Sequence, residues 1–322
     1  MNEQKATILD KKPQRSYSCC GSGSNEVENT SLEQNTAQAD SIRSKVRTQY
    51  AAIAKGDQNK IVNPPEQSEA NPSRTKEKDN YTEYSAEELA SIPEDSNLGL
   101  GSGNPISLAN IQEGETVVDL GSGAGIDCFL ASDKVGSTGK VIGIDMTPEM
   151  IDKARLNARK GGYTNIEFRL GEIENMPIAD NSADLIVSNC VINLSVDKAQ
   201  VFREAYRVLK PGGRLVVSDI ILNQDFPKVI KDALKDTPGC VSRAWVKEEY
   251  LAVIKNAGFE QVELLEAEII QPQKKPKITG SGNRIRKIVA YGNEVEVELT
   301  SEEDEQLLNS VMKGHIRAFK PN

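Results

Sequence analysis

The stretch "VVDLGSGAGIDCFLA", residues 117–131, decides how the rest of the chain is read. Gly121, Gly123 and Gly125 alternate directly after a short apolar run and directly before a helical pattern. Glycines in that place let the chain turn tightly and let a ligand approach the backbone. The apolar run "TVVDL" at 116–120 reads as a buried strand, and "IDCFLASDKV" as a helix. A second apolar run, "KVIGID" at 140–145, ends on Asp145, 20 residues after Gly125. A carboxylate there accepts hydrogen bonds from ribose hydroxyls. A dinucleotide loop prefers G-x-G-x-x-G, whereas this one is D-x-G-x-G-x-G with Asp119 on the strand itself. A carboxylate at the loop repels a pyrophosphate but suits an ammonium or sulfonium group.

The alternation of strand and helix continues outward from this loop. "TPEMIDKARLNARKGG" predicts a helix with Thr147 as N-cap, Pro148 in the first position and a Gly-Gly stop. "IEFRL", "ADLIVSN" and "RLVVSDI" predict further strands, and "DKAQVFREAYRVLKPGG" a helix ended by Pro-Gly-Gly. "WVKEEYLAVIKNAGF" predicts another helix, with Gly258 as its stop. "QVELLEAEII" and "RKIVAYG" are expected to be the last two strands, paired antiparallel. Upstream, "SAEELASI" has the Ser85/Glu88 spacing of a capping box. Buried apolar strands alternating with helices imply a parallel sheet covered on both faces.

The flanks differ in texture. Residues 1–40 are polar and are expected to be a disordered tail. Residues 41–55 place Ile42, Val46, Tyr50 and Ile53 at helical spacing, and the Pro-containing stretch after them reads as linker. The chain is thus expected to divide into a tail (1–40), an N-terminal helix and linker (41–84), the α/β domain (85–291) and an acidic C-terminal extension (292–322).

Composition excludes several function classes. With 39 Lys and Arg against 48 Asp and Glu, the net charge is −9, which argues against nucleic acid as a partner. No apolar run is long enough to span a membrane, and the N-terminus lacks the apolar core of a signal peptide, so the expectation is a cytoplasmic protein without membrane contact. Five scattered cysteines make a poor disulfide framework, and the lone histidine, His315, argues against Ser-His-Asp or Cys-His hydrolysis. Taken alone, Cys190 in "SNCVINL" and Cys128 on the helix after the loop read as small buried residues. Cys240 sits in a loop beside Pro238 and Gly239.

The D-x-G-x-G-x-G loop resembles motif I of class I S-adenosylmethionine-dependent methyltransferases. "GIDMT" puts Asp145 and Met146 where that superfamily contacts ribose and adenine, and "GEIENMP" puts Glu172 and Ile173 beside the adenine. "LKPGGRLVVSD" is similar to the superfamily's turn before its fifth strand. The resemblance implies a Rossmann-like α/β fold with a mostly parallel seven-stranded sheet and helices on both faces. It also implies S-adenosylmethionine as methyl donor, held by Asp119, Gly121, Ser122, Gly123, Gly125, Asp145, Met146, Glu172, Ile173 and Asn189.

"NLGLGSGNP", "SNCVINLSVDK" and "EAYRVLKPGGRLVVSDI" narrow the resemblance to arsenite methyltransferases, over roughly residues 41–270. It implies Cys190 and Cys240 as ligands of trivalent arsenic, a glutathione or thioredoxin-like thiol reductant, a role in arsenic detoxification and a monomer. As(III) is soft and three-coordinate, favours thiolates and keeps a lone pair that attacks a sulfonium methyl without a general base. The chain departs from the family at Ser102, where the resemblance would place a third cysteine ligand. Three readings stay open. The first is a two-thiolate enzyme acting on methylated or thiol-bound arsenic. The second is completion of the site by Cys19 or Cys20, and the third is loss of arsenic activity. A small-molecule C- or O-methyltransferase and a non-catalytic arsenic-binding relative are the alternative functions.

Overall fold

The apolar runs predicted as strands build the centre of the molecule. A computed structural model describes residues 24–56, 83–235, 237, 239–270, 275–290 and 293–322. Cys19, Cys20 and the Pro-containing stretch at 57–82 lie outside the described residues. The chain divides into two units, Met1–Ser41 and Ile42–Asn322. Helix α1 (Ser24–Ala54) begins in the stretch expected to be disordered and includes the predicted helix at 41–55. Short helices α2 (Ala86–Ser91) and α3 (Pro105–Leu108) follow, α2 with the Ser85/Glu88 capping box in place.

The α/β part alternates as expected. Strand β1 (Thr116–Leu120) leads into α4 (Ile126–Val135), and β2 (Lys140–Asp145) into α5 (Pro148–Gly161). Strands β3 (Ile166–Leu170) and β4 (Ala183–Asn189) precede α6 (Lys198–Val208) and β5 (Leu209–Leu222). Helices α7 (Lys228–Leu234) and α8 (Lys247–Asn256) then lead to β6 (Glu260–Ile269). The helix α6 stops at Val208, so the Lys-Pro-Gly-Gly segment belongs to β5. Val117, Val118, Leu185, Ile186, Val216 and Val217 are wholly buried, as strands covered on both faces must be. Among the described residues, no helix is long and apolar enough to cross a membrane.

The C-terminal residues depart from the expected acidic extension. They form β7 (Lys277–Ile278), β8 (Arg284–Ala290), β9 (Asn293–Leu299), α9 (Ser301–Leu308) and β10 (Val311–Phe319). The main sheet runs β3-β2-β1-β4-β5-β10-β6, with β10 antiparallel to both neighbours. The expected pairing of β6 with β8 is therefore wrong: β8 pairs with β9 and β7 in a separate three-stranded sheet. The reason is that β10 satisfies its backbone on both edges, and its two buried polar side chains are matched from outside the sheet. Lys313 Nζ and His315 Nε2 each lie 3.3 Å from the Glu83 carboxylate. The acidic stretch before it is held by alternation, with Val297 and Leu299 buried and Glu296 and Glu298 outward. Arg286 and Asp304 form a buried ion pair between β8 and α9.

If β10 is integral, truncating its central side chain is costly. Ile316 is 0 % exposed in the main core. Ile316→Ala is expected to destabilise the fold by about 2–5 kcal/mol, read from the shift in a urea unfolding midpoint. The stability of a dispensable tail would not change.

Candidate functional site

The glycine loop takes its shape from positive φ angles. Gly121 has φ +66°, Gly123 +51°, and Gly125, at +101°, caps α4. A Cβ on Gly121 would collide with the Val191 side chain, and one on Gly125 would lie 2.7 Å from the Phe129 ring. A Cβ on Gly123 would meet nothing within 4 Å, because that residue faces open space. Asp145, at the end of β2, locks the loop from below. Its carboxylate accepts the Gly123 N–H at 3.1 Å and the Thr147 N–H at 2.8 Å. Burial raises its pKa and these donors pull it down.

A cleft of about 1060 Å³, including its open mouth, lies above this loop at the carboxyl ends of the strands. Gly121, Ser122, Gly123, Asp145, Met146, Ile173, Asn189 and Cys190 all line it. The amphipathic face predicted for residues 41–55 also lines it, through Val46 and Tyr50, with Arg43 beside them. The residues fit a ligand with hydrogen-bonding groups. Ser122 is buried, yet among the described residues its hydroxyl has no hydrogen-bond partner. A buried unsatisfied hydroxyl costs about 1–3 kcal/mol, and a ligand acceptor removes that cost.

Four of the expected site residues lie outside the lining. Asp119 is buried behind the loop, where its carboxylate accepts the Cys128 thiol at 3.3 Å. Burial and the nearby Asp127 charge raise its pKa well above the usual carboxylate range. Alternation along β1 turns its side chain under the loop toward α4. Gly125 serves the turn into α4. Glu172 sits 3.5 Å from Arg43 Nε and 3.6 Å from an Arg47 nitrogen, so it braces α1. Cys240 approaches from beyond the cleft, through Cys190.

The two cysteines do converge. Cys190 follows β4 with φ +57°, a left-handed conformation that is unusual for cysteine. Its N–H donates to the Ser218 carbonyl at 2.8 Å. The Cys240 thiol donates to the Cys190 carbonyl at 3.1 Å. Its pKa is held well above the usual thiol value, first by hydrogen bonding with the Cys190 thiol and then by burial. Ser102 reaches the same spot: its hydroxyl donates to the Ser218 carbonyl at 3.3 Å. Positions 102 and 190 therefore share the Ser218 carbonyl of β5, while Cys240 bonds the carbonyl of Cys190 itself. One side of the thiol pair is apolar, with Ile220, Leu222, Phe226 and Ile230 in its cluster. On the other side, Asp219 is bonded to Asn193 at 2.9 Å and to Tyr250 at 3.0 Å. Burial pushes the Asp219 carboxyl up to about 7, and burial brings Lys198 down to about 8.

Sequence reasoning missed Tyr84 and Asp127, which both line the cleft. Asp127 follows the glycine loop directly in "GID", a position that marks the first turn of the helix at the ligand. Tyr84 carries no local signal, since a loop delivers it across the fold.

A family model described as a methyltransferase domain matches residues 111–258. The arsenite methyltransferase of Halobacterium salinarum is 50% identical over 181 residues, covering 56% of this chain and 46% of the relative. The arsenite methyltransferase of Homo sapiens is 39% identical over 168 residues, covering 49% of this chain and 45% of the relative. The chain spans about half the length of the curated relatives it matches. Among solved structures, CrArsM, an arsenic(III) S-adenosylmethionine methyltransferase from Chlamydomonas reinhardtii, is 33% identical with a TM-score of 0.54. That match covers 68% of this chain and 67% of CrArsM. With the class I sheet order and the glycine loop already in place, these likenesses carry one conclusion: the chain belongs to the arsenite methyltransferase family.

Proposed function

We propose that this chain transfers a methyl group from S-adenosylmethionine to trivalent arsenic held by Cys190 and Cys240. The observation that carries this is the meeting of the two thiols at the edge of the cleft, with Cys240 bonded to the Cys190 carbonyl. When bound, the donor supplies an electrophilic methyl group. Gly121, Gly123, Ser122 and Asp145 would hold it against the loop, and the cysteines would hold the acceptor beside it. The Cys240 thiol keeps its proton at neutral pH. The As–S bond to Cys240 therefore forms as an As–OH or As–thiolate group leaves, taking the thiol proton with it as water or free thiol. The arsenic lone pair then acts as nucleophile, and the chain supplies alignment. The transfer oxidises As(III) to As(V), which is why a thiol reductant of the glutathione or thioredoxin class belongs to the reaction.

With only two thiolates, the acceptor needs a third substituent of its own. A methyl group or an external thiol meets that need, and the apolar cluster beside the cysteines suits a methyl group. Methylarsenite and thiol-bound arsenite are therefore the proposed substrates, and arsenic detoxification the role. Ser102 is the sharp probe, because its hydroxyl shares the Ser218 carbonyl with the Cys190 N–H. Ser102→Cys is expected to tighten arsenite binding about tenfold, roughly 1.4 kcal/mol, by adding a soft ligand. The fluorescence of Trp245, the sole tryptophan, reads this in a titration. No gain would place residue 102 outside the arsenic site. Assaying S-adenosylhomocysteine formation with arsenite and with methylarsenite, thiol present, tests the function itself.

A further inference from the structure

Cys190 and Cys240 sit on two loops, 50 residues apart in the chain. A two-thiol site works only if those loops keep a fixed separation. Two cationic side chains cross between them, in opposite directions. Arg243, three residues after Cys240, reaches the segment that follows Cys190. Its Nε donates to the Asn193 carbonyl at 3.2 Å and its Nη2 to the Ser195 carbonyl at 2.8 Å. Lys198, the first residue of α6, reaches back. Its Nζ donates to the Arg243 carbonyl at 2.6 Å and lies 4.2 Å from the centre of the Trp245 ring.

Both ends of this strap are anchored. Asn193 is wholly buried, and its amide donates to the Asp219 carboxylate at 2.9 Å and to the Ile220 carbonyl at 2.6 Å. The carbonyl that receives Arg243 therefore belongs to a residue fixed to β5. On the Cys240 side, the Ser242 hydroxyl donates to the Thr237 carbonyl at 2.6 Å and to the Gly239 carbonyl at 3.1 Å. The Arg243 N–H also donates to the Gly239 carbonyl, at 3.1 Å. That loop is a compact turn, and the strap sets where the turn sits. A guanidinium suits the task, because its planar fork meets two carbonyls at once. Lys198 is only 4 % exposed. The desolvation cost of an ammonium there is offset by the carbonyl and the aromatic face.

We propose that Arg243, with Lys198 behind it, is a positioning residue that holds the Cys240 thiol at chelating distance from Cys190, and so favours arsenicals that take two protein sulfurs over those that take one. This rests on the two cysteines being the arsenic ligands. The test uses the full chain with Cys19→Ser and Cys20→Ser, which removes the competing thiol pair, and a phosphine as reductant. Two arsenicals are titrated by calorimetry. Methylarsenite carries two As–OH groups, and each exchanges with one thiol, forming an As–S bond and releasing water. Dimethylarsinous acid carries a single As–OH group and takes one thiol only. Arg243→Met is expected to weaken methylarsenite about 10–100-fold, as the effective concentration of the second thiol falls. Dimethylarsinous acid should stay within about twofold, and S-adenosylhomocysteine binding within about twofold shows that the variant is folded. Arg243→Lys keeps the charge without the fork and should lose less methylarsenite affinity than Arg243→Met. If Arg243→Met fails to bind S-adenosylhomocysteine, Arg243→Lys decides by the same comparison. An equal loss of both arsenicals, or no loss of methylarsenite, overturns the positioning role alone. Methylarsenite binding that Cys240→Ser leaves unchanged overturns the arsenic reading and this inference with it.

Discussion

Replacing Cys240 with serine is expected to cut arsenic-dependent turnover on the order of 10³-fold while donor binding stays within about twofold. Serine keeps the volume and a donor for the Cys190 carbonyl, which Cys240 now bonds at 3.1 Å, so the fold is retained. It removes a soft ligand and puts a hard, neutral one in its place. A lone thiolate at Cys190 then holds arsenic by one bond, free to rotate and to leave. The lone pair is no longer aimed at the methyl group, and the benefit of prior alignment goes with it. Initial rates with methylarsenite, together with calorimetry for S-adenosylhomocysteine, separate the two effects. Turnover that survives in both Cys190→Ser and Cys240→Ser would favour a different methyl acceptor, such as a small organic molecule.

The second large effect is expected at Gly121. Its φ of +66° lies in the left-handed region, and a Cβ there would sit 2.7 Å from Val191 Cβ. Gly121→Ala therefore combines backbone strain with overpacking, together about 2–4 kcal/mol of lost stability. Relief can come only from moving the loop or moving Val191, and Val191 is the neighbour of Cys190 in the chain. Both motions misplace the two halves of the site, so donor affinity and turnover should each fall on the order of 100-fold. Thermal unfolding and donor titration measure this. Gly123→Ala is the contrast, since its Cβ meets nothing within 4 Å. That variant carries backbone strain alone.

The sequence exposed most of the α/β core because the same residues carry both local and global signals. "TVVDL", "KVIGID" and "ADLIVSN" are strands with the bounds that their apolar runs predict. The convergence of Cys190 and Cys240 was legible only through resemblance, since a lone cysteine in a chain is chemically indistinct from core. The C-terminal strand was not legible. "VMKGHIRAF" mixes Lys, Gly, His and Arg into a strand that is buried only because β5 and β6 flank it and Glu83 meets Lys313 and His315. In "EVEVEL" the two-residue alternation of a strand is present, but the charge run masked it. Asp119 shows how position can differ from what a motif suggests. A carboxylate in a glycine motif looks like a ligand group, yet strand alternation buries it against Cys128.

The most direct test of arsenic methylation is the rate of S-adenosylhomocysteine formation with arsenite and with methylarsenite, each in the presence of a thiol. Two converging thiols and a soft acceptor predict turnover, faster with methylarsenite because it brings its own third substituent. No turnover on either substrate, from folded protein that binds S-adenosylmethionine, would contradict the proposed function.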